Sequence, residues 1–141
     1  MSDLANPIIF YDGVCGLCNR CVRFVLKHDH RDYFRFAALQ SEAARRLLDT
    51  HRVDLSQLTT VCVLLDAGQP EEKLLTQSDA AIAVLGQLGG IWNACSFLLH
   101  IIPHAIRDWG YLLIARHRYQ IFGKYDACPL PNPQDAHRYL E

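Results

Sequence analysis

Two cysteines three residues apart, Cys15 and Cys18, follow a short apolar run at residues 7–11 of this 141-residue chain. We predict that the run is a β-strand and that a helix is formed from Asn19 onward, directly after the C-x-x-C segment. Cys15 then lies at a helix N-terminus, where unpaired backbone N–H groups and the helix dipole favour a thiolate. Two thiols in this arrangement are suited to thiol–disulfide exchange.

The spacing predicts different roles for the two thiols. We expect Cys15 to be the more exposed and to act as the nucleophile, while Cys18, one helical turn later, resolves the mixed disulfide. Asp12 precedes Cys15 by three residues. Its carboxylate either accepts a proton when the resolving thiol ionises or bonds to N–H groups of the turn, and the two roles are compatible.

The composition is that of one domain with a hydrophobic core, because half of the residues are hydrophobic. We therefore expect a single domain over residues 1–141. A formal net charge of −1 gives no general attraction to nucleic acid or anionic lipid, although local charged patches are compatible with it. The N-terminus has no basic segment followed by an apolar core, so we expect a cytoplasmic protein. In that compartment the six cysteines are reactive thiols, metal ligands or buried residues rather than a structural disulfide framework.

The order of predicted elements is that of a small α/β fold. Strands are predicted at residues 8–11, 32–37, 59–66 and 73–76, and helices at 19–28, after Ser41, and from 79 to 88 with Ser78 as the N-cap. The resulting order, βαβα-ββα, is that of a thioredoxin-like core over about residues 7–90.

The C-terminal part, residues 91–141, is predicted to add helices to this core. Pro103 separates two apolar helical patterns, and the end of the chain is irregular and rich in proline. Charged and histidine side chains in the middle of residues 91–115 argue against a membrane-spanning helix. Docking of the two apolar helices on a partner protein or a membrane surface remains a non-enzymatic alternative.

A metal or iron–sulfur site is the second alternative. Cys15, Cys18 and Cys21 form a C-x-x-C-x-x-C run, and Cys128, followed by a proline, is a possible distant fourth ligand. Against this, a helix through Cys21 directs that side chain into the core, where a free cysteine packs as a small hydrophobic residue. We predict the same burial for Cys62 and Cys95, and no metal ligand set.

The segment from Phe10 to Asn19 resembles the signature of the DCC family, which is named for the Asp and two Cys of D-x-x-C-x-x-C. The resemblance extends to Ser78 and Ala80 and to residues 116–124 with the following Cys128. It implies a thioredoxin-like thiol–disulfide oxidoreductase with Asp12, Cys15 and Cys18 as its site.

Two further groups are candidates for binding substrate. Thioredoxins place a cis-proline before the strand that faces the redox motif, whereas residues 58–61 contain none, so a contact from Thr59 or Thr60 is expected in its place. The second group is either a cationic lip near Cys15 or a solvated helix end, of which we favour the second, and it contains Arg116, Arg118, Tyr119 and Lys124.

No phosphate-binding or dinucleotide-binding glycine motif is present in the sequence, so no cofactor is indicated. Reducing equivalents would then come from a dithiol or disulfide protein, or from a small thiol similar to glutathione.

Overall fold

Four short strands form one mixed sheet in the computed structural model, which describes residues 6–29, 33–39, 41–49, 62–66, 70, 72–123, 133 and 136–139. The strands are β1 (Ile8–Tyr11), β2 (Arg35–Ala38), β3 (Cys62–Leu65) and β4 (Lys73–Thr76). The helices are α1 (Gly16–His28), α2 (Glu42–Asp49), α3 (Gln77–Leu88), α4 (Gly90–Ile101), α5 (His104–Arg116) and α6 (Arg118–Phe122), followed by a 3₁₀ turn at Ala136–Arg138.

The sheet has the order β2-β1-β3-β4. β1 pairs in parallel with β2, and β3 is antiparallel to both of its neighbours, β1 and β4. All four residues of β1 are buried because helices cover both faces of the sheet. Ile9 and Tyr11 contact the core layer formed with α1 and α3, whereas Ile8 and Phe10 contact the layer formed with α2. This α/β architecture and element order confirm the predicted thioredoxin-like fold.

Two predicted boundaries near the site are wrong by a few residues. α1 begins at Gly16 rather than Asn19, because Cys15 itself is the N-cap and its sulfur accepts the N–H of Cys18. β2 begins at Arg35, because the N–H groups of Tyr33 and Phe34 donate to the Asp29 carboxylate instead of to the sheet. Residues 59–61, predicted to begin the third strand, lie outside the described residues.

The two predicted serine N-caps differ in outcome. Ser41 caps α2 as predicted, since its Oγ accepts the Ala44 N–H at 3.2 Å. Ser78 does not cap α3, because the helix begins at Gln77 and its N-cap is Thr76. The Ser78 hydroxyl instead donates to Asp108 of α5 at 2.5 Å, and it thereby joins α3 to a helix thirty residues later in the chain.

α3 lies between the sheet and the C-terminal helices and supports both α4 and α5. Its Ala80 and Val84 belong to the core layer with β1, while the Ile82 carbonyl accepts a hydrogen bond from Ser96 of α4 at 2.9 Å. Among the described residues no helix has the length and apolar character that crossing a membrane requires.

Candidate functional site

The loop between β1 and α1 is a tight turn held by Asp12. The Cys15 N–H donates to the Asp12 carbonyl at 3.1 Å, and the Val14 N–H donates to Asp12 Oδ1 at 3.2 Å. Asn19 donates its side-chain amide to the Gly13 carbonyl at 2.9 Å from the first turn of α1. The turn-forming role predicted for Asp12 is therefore present, and it fixes the carboxylate at the start of the redox motif, where it is almost completely buried.

The two cysteines of the motif are free thiols. Cys15 Sγ accepts the Cys18 N–H at 3.4 Å, so the first turn of α1 directs a backbone donor at the sulfur. Such a donor stabilises a thiolate more than a thiol. The prediction that Cys15 is exposed is wrong, because its side chain is as completely buried as that of Cys18.

The electrostatic surroundings of Cys18 hold this group in its protonated form. Burial, and then the nearby Cys15, raise the pKa of the Cys18 thiol well above its usual range, against a smaller lowering by a hydrogen bond with the backbone of Asp12. A Cys15 sulfur held in a disulfide bond carries no charge, so such a bond would remove the second of these causes and lower the pKa of Cys18.

The short helix α6 explains why Cys15 is buried. The Tyr119 hydroxyl donates to Asp12 Oδ2, and the Gly16 N–H donates to the Gly123 carbonyl at 3.0 Å. Gly123 ends α6 with a φ of 82°, a conformation that favours glycine. Tyr119 also packs against the core layer that contains Cys15. Tyr119 of α6 and the following Gly123 are therefore hydrogen-bonded to Asp12 and Gly16, which lie before and after Cys15.

The residues of the proposed cationic lip differ in their positions relative to the site. Tyr119 reaches the site, but through a hydrogen bond to Asp12 rather than through charge. Arg116 is exposed on α5, in accord with the solvated helix end that we favoured. The side chains of Arg118 and Lys124, and all of Thr59 and Thr60, lie outside what the structure describes. The Tyr119–Asp12 pairing was not predicted, because no local pattern links residues 107 positions apart.

An apolar cavity of about 480 Å³ lies beside Cys18, between α1, α3 and α5. Its walls include Cys18, Cys21, Val84, Leu85 and Ile114. The prediction that Cys21 is buried in the core is wrong: the residue is exposed, although it borders this cavity. The apolar surroundings account physically for the burial that keeps Cys18 protonated.

The other described cysteines, Cys62 and Cys95, do not form a metal site. Cys62 is buried as predicted, on the opposite face of the sheet, and burial raises its pKa to about 12. Cys95 is only half-buried on α4. Within the described ranges no group of three or more His, Cys, Asp or Glu side chains could hold a metal ion, and Cys128 lies outside them.

Comparison with known sequences assigns the chain to a protein family. The profile described as DCC1-like thiol-disulfide oxidoreductase matches residues 9–124, which include the motif, α3 and all of α6. The chain belongs to this family. The uncharacterized protein YuxK of Bacillus subtilis is 36% identical over 137 residues, which cover 97% of this chain and 96% of YuxK.

A second member of the DCC family, a chloroplastic protein of Arabidopsis thaliana, is 35% identical over 125 residues. The match covers 89% of this chain and 70% of the plant protein. No solved structure matches the chain. The DCC family assignment confirms the resemblance seen in the sequence around Asp12, Cys15 and Cys18.

Proposed function

We propose that this DCC1-like protein is a dithiol–disulfide oxidoreductase in which Cys15 is the nucleophile and Cys18 the resolving thiol. The observation that carries the proposal is the Cys18 N–H directed at Cys15 Sγ, at the start of α1 and beside the buried carboxylate of Asp12. The family profile supports the same chemistry by its description.

The proposed reaction begins with the attack of the Cys15 thiolate on a substrate disulfide. A Cys15–substrate disulfide forms, and one substrate sulfur leaves as a thiolate and takes up a proton. Cys18 then loses its proton and attacks Cys15 Sγ, which releases the second substrate thiol and leaves a Cys15–Cys18 disulfide. The two thiols lose two electrons in total, and the substrate disulfide gains them; the reverse sequence oxidises a dithiol substrate.

Asp12 is the proposed proton acceptor in the second step. The raised pKa of Cys18 means that this thiol needs a base, and the Asp12 backbone is hydrogen-bonded to Cys18. Tyr119 donates to Oδ2 of this carboxylate and so occupies that oxygen while α6 remains in place. Protein disulfides and small disulfides such as that of glutathione are the proposed substrates.

The test is a redox titration of reduced, anaerobically purified protein in glutathione buffers, followed by alkylation and mass spectrometry with parallel metal analysis. We expect one reversible two-electron transition confined to Cys15 and Cys18, abolished in Cys15→Ser and Cys18→Ser and retained in the matched control Cys62→Ser. With oxidised glutathione, Cys18→Ser should accumulate a glutathione adduct at Cys15. Stoichiometric metal that protects the two thiols, or a transition at other cysteines, would contradict the proposal.

The role of Asp12 is tested separately. Asp12→Asn should slow the formation of the Cys15–Cys18 disulfide from the mixed disulfide by about 100-fold or more, the lower end of the effect of a general base. The matched control is Asn19→Ala, which also loosens the turn but keeps the carboxylate. Equal slowing in both variants would show that Asp12 acts only through the shape of the turn.

A further inference from the structure

The exposed apolar side chains of this protein are concentrated in one region. Every exposed large hydrophobic residue of the described chain lies between residues 91 and 121, and all but Ile121 belong to α4, α5 or their connection. The exposed residues of these two helices and their connection are Ile91, Phe97, Leu98, Ile101, Ile102, Ile106, Trp109, Leu112, Leu113 and Ile114. Surfaces of this extent on soluble domains mark interaction sites.

The exposure is most complete at the connection between the two helices. Ile101, Ile102 and Ile106 lie there, whereas Ile114 near the other end of α5 borders the cavity between α1, α3 and α5. The connection between α4 and α5 is exposed without a break from residue 100 to residue 106. A rigid partner covers one face of a helix, whereas a fluid hydrocarbon layer covers side chains that point in several directions.

The charges of the region favour the same kind of partner. Residues 91–106 contain no Asp, Glu, Lys or Arg, and residues 90–123 as a whole contain three arginines and one acidic residue. That acidic residue, Asp108, accepts the Ser78 hydroxyl and pairs with His104 at 3.1 Å. The neighbouring carboxylate of Asp79 pairs with Arg107 at 3.5 Å. The anions near the connection are therefore paired, while Arg116 is exposed at the end of α5.

Aromatic side chains complete the pattern. Trp109 and Phe97 are both exposed, and tryptophan is enriched where protein meets the boundary between lipid headgroups and acyl chains. Since no described helix can span a bilayer, α4 and α5 can meet lipid only from one side. We infer that the α4–α5 surface docks this protein on an anionic lipid bilayer, with the residues of the connection inserted at the headgroup boundary.

The test is cosedimentation of the full chain with vesicles of phosphatidylcholine and phosphatidylglycerol. We expect about fivefold stronger binding to vesicles with one quarter phosphatidylglycerol than to pure phosphatidylcholine, as one arginine near an anionic surface would give. The double variant Ile101→Ser/Ile106→Ser should weaken binding on the order of tenfold, because it removes two inserted apolar side chains. The matched control is Ile121→Ser, which changes the same residue type at 64% exposure, against 66% for Ile101, but on α6.

A fluorescence measurement on the folded chain keeps the inference testable if the double variant is unstable. Trp92→Phe leaves Trp109 as the only tryptophan, and its emission should shift to shorter wavelength and be quenched by brominated lipid. Trp109→Phe retains the half-buried Trp92, which packs edge-to-face against Phe24 and should not respond. Absence of vesicle binding, equal loss in Ile121→Ser, or self-association that uses Ile101 and Ile106 without lipid binding would each overturn the inference.

Discussion

Removal of one hydroxyl group, in Tyr119→Phe, should make the buried Cys15 thiol reactive towards alkylating reagents. Cys15 is inaccessible in the folded protein, and α6 is held over the motif by two hydrogen bonds, from Tyr119 to Asp12 and from Gly16 to Gly123. An alkylating reagent therefore reaches Cys15 only in molecules in which α6 has opened locally. The alkylation rate is proportional to the population of that open state when closing is fast.

The magnitude follows from the hydrogen bond that is lost. A hydrogen bond to a charged group contributes about 1.5–3 kcal/mol, and the almost buried Asp12 carboxylate regains water when α6 opens. A loss of about 2 kcal/mol from the closed state raises the open population about 30-fold. We therefore expect Cys15 to be alkylated about 30 times faster in Tyr119→Phe than in the natural chain.

The assay is alkylation of reduced protein by iodoacetamide in native buffer, with quenching and quantification of the Cys15 peptide by mass spectrometry. Urea unfolding of each variant separates local opening from a loss of global stability. Ile121→Ala is the control, because it also lies on α6, is exposed and makes no contact with Asp12. An increase below about threefold, or an equal increase in Ile121→Ala, would refute the reasoning.

Three further outcomes can be measured. Arg138→Met should lower the unfolding free energy in urea by about 3–4 kcal/mol, because it leaves Asp29 without its buried ion-pair partner; a loss below about 1 kcal/mol would contradict this. Ser78→Ala should lower the unfolding free energy by about 1 kcal/mol at pH 7. Its hydroxyl is the main cause of the lowered pKa of Asp108, so this contribution is complete above the ordinary pKa of the carboxyl and falls as the pH is lowered through the folded-state pKa; a cost that stays constant throughout an acid titration would exclude this linkage. Cys62, with its pKa raised to about 12, should be alkylated at pH 8 at least on the order of 1,000 times more slowly in the folded than in the urea-unfolded chain, and similar rates would show that it is accessible.

The core of the fold could be predicted because its signals are local. β1 and β4 have the predicted bounds, and the cap of α2 by Ser41 follows from one side chain and the helix beside it. α3 was harder to interpret because both of its sides are covered. Ala80 and Val84 face the sheet while Ile82 meets α4, so a single inward stripe, as in an amphipathic surface helix, does not exist there.

The site itself was predicted in its residue types but not in its environment. The cysteine motif indicates thiol chemistry, whereas the burial of Cys15 depends on α6, a helix more than one hundred residues later in the chain. The same holds for Ser78. Its hydroxyl donates to Asp108 instead of capping α3, and no local sequence pattern predicts a partner thirty residues away. Cys21 was assigned to the core from helical spacing alone, although the cavity between α1 and α5 leaves that part of the helix exposed.

The isolated parallel bridge between Phe36 and Tyr139 has a consequence for solubility. β2 is an outer strand of the described sheet, and an outer strand is a template for strand addition from another molecule. The bridge occupies part of that template, and the Tyr139 ring lies 5.6 Å from the Phe36 ring. The opposite outer strand, β4, begins with the exposed Lys73, a residue that discourages such addition. A chain shortened before Ala136 would expose the β2 template and aggregate through it, whereas an N-terminal affinity tag would leave it covered.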